Sequence, residues 1–357
     1  MTTTADTTLH SRYRNALIGL AAGDAWGYQV EFTTFDDMPA YPVAPPTAVW
    51  RVSDDTQMTL AVADALHDAA GALGDVQAVT EALTNRFIQW SRSPQNNRAP
   101  GTTCMTSIGR LAAGAQWWDE GGAVRSAGCG AVMRLVPAAF APTRYWAGLT
   151  ALQALITHNH PRAVVPALLL AQALRDAPSR HGRFLDSALA AAQYIRTGRG
   201  GLVDDPYLAA ALAPAAPDGV AACLIAGLDD DTEMIMGQAR LALDDIRQRP
   251  AEDIGDLCRG VGEGWESASA VALALLAADL ATAPAGAEPF LTGQQMLAWA
   301  ATTNGDSDSI AALAGAVIGA AHTDNDYWSH QGLTPTFEDQ YIEQLHNRHP
   351  RRLLKWD

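Results

Sequence analysis

Two short acidic stretches hold the residues best suited to chemistry. They are Ser53-Asp54-Asp55-Thr56 and Asp306-Ser307-Asp308-Ser309. Each precedes a run with apolar residues at helical spacing, so each marks a helix start. A Ser or Asp there has an ordinary use as a cap, accepting a free backbone N–H for about 1 kcal/mol. The helix dipole adds a few tenths more for an acid. A cap needs one such side chain, whereas adjacent carboxylates repel each other. The other use for tandem acids is a hard divalent cation. Mg²⁺ or Mn²⁺ takes carboxylate, hydroxyl and water oxygens. Four carboxylates with Ser53 and Ser309 could hold two ions. The two stretches lie about 250 residues apart, so only a fold that joins both helix starts makes them one site. Spacing alone leaves capping and cation binding both open.

The elements that must do this positioning read as helices. "YRNALIGLAAGDAWG", "TQMTLAVADALHDAAGAL" and "AVTEALTNRFIQWS" carry apolar residues three and four apart. So do "YWAGLTALQALITH", "RAVVPALLLAQALRDA", "FLDSALAAAQYI", "TEMIMGQARLALDDI", "WESASAVALALLAADLA" and "SDSIAALAGAVIGAAH". Punctuators such as "SPQNNRAPG" and "TAPAGAEPF" separate them. Alternating strand runs and repeats are not evident. The expectation is an all-α fold, a compact orthogonal bundle of a dozen or more helices. Residues 1–357 read as a single domain, with 1–10 as a flexible tail and Pro39 to Pro46 as a surface loop.

Composition excludes several functions. A net charge of −15 argues against a phosphate-backbone binder, which would show a basic face. Stable nucleic-acid binding is therefore not expected. Cys104, Cys129, Cys223 and Cys258 form no CxxC pair and no zinc-spaced cluster with histidine. They read as reduced thiols. The first residues lack a signal-peptide core, and no apolar run reaches the roughly 20 residues that span a bilayer. A cytoplasmic monomer without membrane contact is the expectation.

Six segments together resemble the ADP-ribosylglycohydrolase family. "ALIGLAAGDAWGYQVEF" is similar to its opening helix and following glutamate, and "SDDTQMTLAVADAL" to its first metal motif. "GCGAVMR", "THNHP", "GEGWESASAVALAL" and "NGDSDSIAALAGAVIGA" follow in the family's order. The resemblance implies an all-α fold with two Mg²⁺ (or Mn²⁺) ions in a cleft. It implies Ser53, Asp54, Asp55, Asp306, Asp308 and Ser309 as ligands, serine standing at the last where threonine is usual. Glu31 matches a glutamate that orients substrate near the metals; without the resemblance it reads as a solvated loop carboxylate.

The same resemblance implies a substrate-binding role for Thr102, Ser126, Gly128, Cys129, Gly130, His158 and Trp265, beside Glu31. By residue type alone Thr102 is a cap and Gly128 to Gly130 a helix-start turn whose small side chains let N–H groups approach phosphate. His158 would otherwise cap or pack, and Trp265 would otherwise be core. Cys129 stands where the family has asparagine, which removes an amide; no histidine pairs with it as a catalytic dyad. Arg134 reads as structural, held by carboxylates behind the site. The implied activity is cleavage of the glycosidic bond between ADP-ribose C1″ and its acceptor, through a transition state with oxocarbenium character. Glu31, Asp55 and Asp306 are the catalytic candidates. ADP-ribosyl-arginine leads as substrate, with serine, nucleic-acid base or small-molecule acceptors open. A non-catalytic ADP-ribose-binding regulator is the alternative. An isoprenoid synthase would need Asp-Asp-x-x-Asp, and Met58 stands where its third acid belongs.

Overall fold

The computed structural model describes residues 4–347. Among them are sixteen α-helices. They are α1 (Thr4–Gly27), α2 (Asp54–Asp68), α3 (Val76–Ser91), α4 (Thr102–Ala112), α5 (Val136–Ala139), α6 (Trp146–Leu155), α7 (Pro161–Asp176) and α8 (Phe184–Arg196). Then come α9 (Pro206–Leu212), α10 (Val220–Gly227), α11 (Asp230–Ile246), α12 (Ser267–Ala281), α13 (Gly293–Ala300), α14 (Ser307–Ala321), α15 (Tyr327–His330) and α16 (Asp339–Asn347). Extended pairing among the described residues is limited to isolated bridges, such as Gly128 with Glu266 and Val124 with His158. The fold is all-α, as the periodicity predicts. The stretch expected as a tail is helical from Thr4, and residues 1–3 lie outside the described range. Arg12 ties α1 down by donating to the carbonyls of Leu174 and Ala320.

Two helices, α12 and α14, are buried on every face. Their alanine-rich, nearly uncharged sequences suit that place, since a helix apolar all round belongs in a core. Helix α1 lies antiparallel against α14 at backbone contact. A Cβ added at Gly19 would sit 2.2 Å from the Gly315 carbonyl oxygen, and one at Gly23 would sit 2.1 Å from that of Ala311. At the end of this seam, the Ser307 hydroxyl donates to the Gly27 carbonyl at 3.1 Å. The seam therefore brings the C-terminal end of α1 to the N-terminal end of α14.

The start of α2 joins them through Asp24 of α1. Asp24 Oδ1 accepts the Ser53 N–H at 2.8 Å, and Oδ2 accepts the Thr56 N–H at 3.0 Å and the Thr56 hydroxyl. The Pro39 to Pro46 segment is irregular and mostly exposed, as expected, pinned by the Trp26 indole donating to the Val43 carbonyl at 2.9 Å. Among the described residues the main apolar core runs from Tyr13 to Leu345, with a small separate cluster of Ala131, Ala154 and Ala163.

Candidate metal centre and its cleft

Three helix ends converge on one cleft of about 480 Å³. The two acidic stretches meet there: Ser309 Oγ of α14 donates to Asp55 Oδ1 of α2 at 2.9 Å. Capping explains little of the acidity. Ser53 caps α2 by accepting the Asp55 N–H at 3.2 Å, so neither Asp54 nor Asp55 is needed for it. Asp54 reaches instead to the Gly101 N–H at 3.3 Å. Asp306 occupies the cap position of α14 without making a side-chain cap bond. Only Asp308 does local work, accepting the Ser309 N–H at 2.9 Å.

Glu31, in the turn after α1, completes the cluster. One oxygen each from Glu31, Asp306 and Asp308 lies within 4.8 Å of the others. Glu31 is buried, and its Oε2 has no hydrogen-bond partner. The sequence-level reading of a solvated loop carboxylate is thus overturned by the packing of that turn. Burial first, then Asp308 and Asp54, push Glu31 up to about 9. Burial and Asp308 push Asp24 to about 7, against the opposing hydrogen bonds from Thr56 and Ser53. Asp54, Asp55 and Asp306 are driven well above the usual carboxylate range, by burial and then by Asp308. Among the described residues, no ion pair involves any of these six acids. A buried, all-oxygen donor set with an unpartnered carboxylate oxygen and no protein cation fits a hard divalent ion.

Arg134 is fully buried behind this cluster, but carboxylates do not hold it. Its guanidinium donates to Gln153 Oε1 at 3.1 Å, to the Gln153 carbonyl at 2.7 Å and to the Thr157 hydroxyl. It also lies 4.5 Å from the centre of the Phe87 ring. Its positive charge reaches Asp54 and Asp55 through space rather than by contact.

The other predicted residues line the same cleft, with two exceptions. Thr102, Gly128, Cys129, Gly130, His158 and Trp265 border it along with Glu31, Asp54, Asp55, Asp306, Asp308 and Ser309. Ser53 is fully buried beneath the cluster, next to Asp308. Ser126 sits off the lining and accepts the Gly128 N–H at 3.1 Å. The Cys129 N–H donates to the Trp265 carbonyl at 2.9 Å. Two of the turn's N–H groups therefore already have protein acceptors and are not open to phosphate. The Cys129 thiol is pushed well up by burial and by Asp306 and Asp55, so it stays protonated. That removes the thiolate a catalytic cysteine requires.

Two features of the site went unassigned at the level of sequence. Asp24 was detectable as an acid inside the apolar helical stretch "ALIGLAAGDAWG". Phe32 is exposed beside Trp265 at the cleft mouth, their rings parallel within 11° and their centres 6.4 Å apart. Nothing in the spacing signals that pair, since the residues are more than 200 apart in the chain.

Comparison with known proteins adds the following. A family described as ADP-ribosylglycohydrolase matches residues 5–346. An ADP-ribosyl-[dinitrogen reductase] glycohydrolase of Rhodospirillum rubrum is 33% identical over 182 residues, 45% of this chain and 56% of the relative. ADP-ribosylhydrolase ARH1 of Dictyostelium discoideum is 30% identical over 149 residues, 37% of this chain and 36% of the relative. The matched region thus spans about half or less of each relative. A solved structure titled ADP-ribosylglycohydrolase-related protein complex superposes with a TM-score of 0.61 at 20% identity, covering 98% of this chain and 99% of its own. That likeness concerns the fold.

Proposed function

This chain belongs to the ADP-ribosylglycohydrolase family, and we propose that its cleft hydrolyses the glycosidic bond between ADP-ribose C1″ and an acceptor. The observation that carries this reading is the meeting of two acidic helix starts, about 250 residues apart, in one cleft without a protein cation. Two Mg²⁺ or Mn²⁺ ions, held by Ser53, Asp54, Asp55, Asp306, Asp308 and Ser309, would supply Lewis-acid polarisation and a water of lowered pKa.

The chain's own residues do the rest. Glu31, buried in the cleft lining beside Asp306 and Asp308, holds or accepts a proton there. Asp55 and Asp306 are the other catalytic candidates. Gly128, Cys129 and Gly130 keep the wall beside His158 low, leaving room for the diphosphate and ribose, and Thr102 borders the same side. Trp265, with Phe32, offers flat apolar surface at the mouth for the adenine. Ser126 supports the turn rather than touching substrate.

ADP-ribosyl-arginine is our first substrate, as the resemblance of the six segments implies. The rest of the reading is a single domain over 1–357, monomeric and cytoplasmic. One main core supports the first part, and no helix among the described residues is long and apolar enough to cross a membrane.

The test is release of ADP-ribose from ADP-ribosylated arginine, serine and nucleic acid, with Mg²⁺, with Mn²⁺ and with EDTA. Release should require metal and fall at least about a hundredfold in Asp306→Asn, beyond the usual loss from an outer-shell change. Tight ADP-ribose binding without release from any substrate would leave a regulator instead of an enzyme.

A further inference from the structure

His158 sits at the end of a hydrogen-bonded chain that begins on Arg134. Arg134 Nη2 donates to Thr157 Oγ1, and Thr157 Oγ1 lies 2.8 Å from His158 Nδ1. A guanidinium has donors only, so the threonine oxygen must accept from it. The hydroxyl proton of Thr157 is then left to donate. Two acceptors are within its reach, His158 Nδ1 and the Cys104 sulfur. The imidazole nitrogen is the stronger acceptor, and the sulfur already takes a contact from Arg134 Nη1 at 3.4 Å. A proton on Nδ1 would also face the arginine charge. The ring is buried, and burial with Arg134 holds its affinity for protons down at about 3, so it is neutral at ordinary pH. With Nδ1 accepting, the one ring proton belongs on Nε2.

The surroundings keep that atom accessible. His158 borders the cleft, and no protein acceptor meets Nε2 among the described residues. A Cβ at Gly128 would lie 3.3 Å from Nε2, and one at Gly130 would lie 3.2 Å from Nε2 and 2.7 Å from Cε1. The two glycines thus leave the N–H uncovered. Resting on the reading of the cleft as an ADP-ribosyl site, we propose that Arg134 and Thr157 are positioning residues. They hold His158 as the Nε2–H tautomer, so that it presents one uncharged donor to a phosphate or ribose oxygen of the ADP-ribosyl group. An uncharged donor binds oxygen without adding a cation that would repel divalent ions, were they held by the acidic cluster.

The experiment reads the tautomer directly. The full chain is labelled with ¹⁵N-histidine and its ring-nitrogen spectrum recorded at neutral pH. His158→Gln identifies which of the nine histidines gives each signal. Wild type should have a protonated Nε2 and a bare Nδ1, and the Nε2–H signal should move when ADP-ribose is added. Thr157→Ser keeps the hydroxyl and should keep the pattern. Thr157→Val removes the donor to Nδ1, so the bare Nδ1 signal should move towards that of an unbonded ring nitrogen, the ring should lose its fixed setting, and ADP-ribose binding should weaken roughly three- to tenfold, the worth of one neutral hydrogen bond. An Nδ1–H or doubly protonated ring in wild type overturns the proposal. So does an unchanged Nδ1 signal with unchanged ADP-ribose affinity in Thr157→Val. If the valine variant does not fold, wild type and Thr157→Ser decide alone. The spectrum needs no turnover, so a failure to hydrolyse any substrate would sink the proposed activity and leave the tautomer standing.

Discussion

Asp24 shows how one side chain can organise a site it does not border. Its two oxygens take three donors from the start of α2, and those bonds aim Asp54 and Asp55 into the cleft. An amide at this position has one acceptor oxygen where the carboxylate has two. Asp24→Asn should therefore loosen the start of α2 and weaken Mg²⁺ binding by about 10- to 100-fold, the usual loss when an outer partner of a ligand changes. Isothermal titration of Mg²⁺ into the purified variant measures this. Affinity equal to wild type would mean that α2 is held in place without Asp24. Glu31 belongs to the same scale. Burial and the neighbouring acids keep its carboxyl protonated in the metal-free chain, and its Oε2 has no partner to lose, so Glu31→Gln, an uncharged group of the same shape, should fold at least as stably as wild type without metal. Thermal melting in EDTA checks this, and a lower melting temperature would contradict it.

At the scale of elements, the seam between α1 and α14 sets the site. Without a Cβ at Gly19, Gly23 or Gly315 the backbones touch, which puts Gly27 beside Ser307. Gly23→Ala would place a methyl 2.1 Å from the Ala311 carbonyl oxygen, which the chain must relieve by parting the helices. Overpacking of this kind costs about 1–3 kcal/mol, sometimes more. Gly109→Ala in α4 meets nothing within 4 Å and should stabilise by up to about 1 kcal/mol. Urea unfolding of the two variants should move in opposite directions, and Gly23→Ala should lose metal affinity along with stability. Equal behaviour would mean that the seam is plastic.

For the whole molecule, the acids link stability to pH and to metal. Folded Asp24 and Glu31 keep their protons to about 7 and about 9, against 3.8 and 4.5 for the free groups. Across that window these two groups hold more protons in the folded chain without metal than in the unfolded one. Their contribution is complete below the unfolded values and is lost as pH rises through the folded ones. His158 and His322 work in the opposite sense. Burial depresses them from 6.5 to about 3 and about 4, so their contribution is present above 6.5 and lost as pH falls towards those values. The metal-free protein should thus melt highest at mildly acidic pH and lower on either side. Divalent cations bound there would displace the protons of the cluster, so the rise in melting temperature caused by Mg²⁺ should grow from about pH 5 to about pH 9. Scanning fluorimetry across that range, with Mg²⁺ and with EDTA, tests it. A rise that shrinks with pH would count against a metal in the cluster.

The amino-acid sequence by itself determined the helical class, nine of the longer helices and the two acidic helix starts, because periodicity and capping residues are local signals. Helix α13 carries a local start signal in its Thr292–Gln295 capping box, but it was not read, because its eight residues show too little periodicity. Short helices such as α5 and α15 were not, since four residues carry too little periodicity. Capping and cation binding could not be told apart locally, because the same residue types serve both. That question was decided by tertiary structure: Ser53 and Asp24 satisfy the start of α2, and Asp306 caps nothing. Tertiary structure also withdrew Glu31 from solvent, surrounded Arg134 with neutral partners and gave the Gly128 and Cys129 N–H groups acceptors within the protein. Each of these depends on which distant group a side chain meets, and that is set by the closeness of α1 to α14 rather than by any neighbour in the chain.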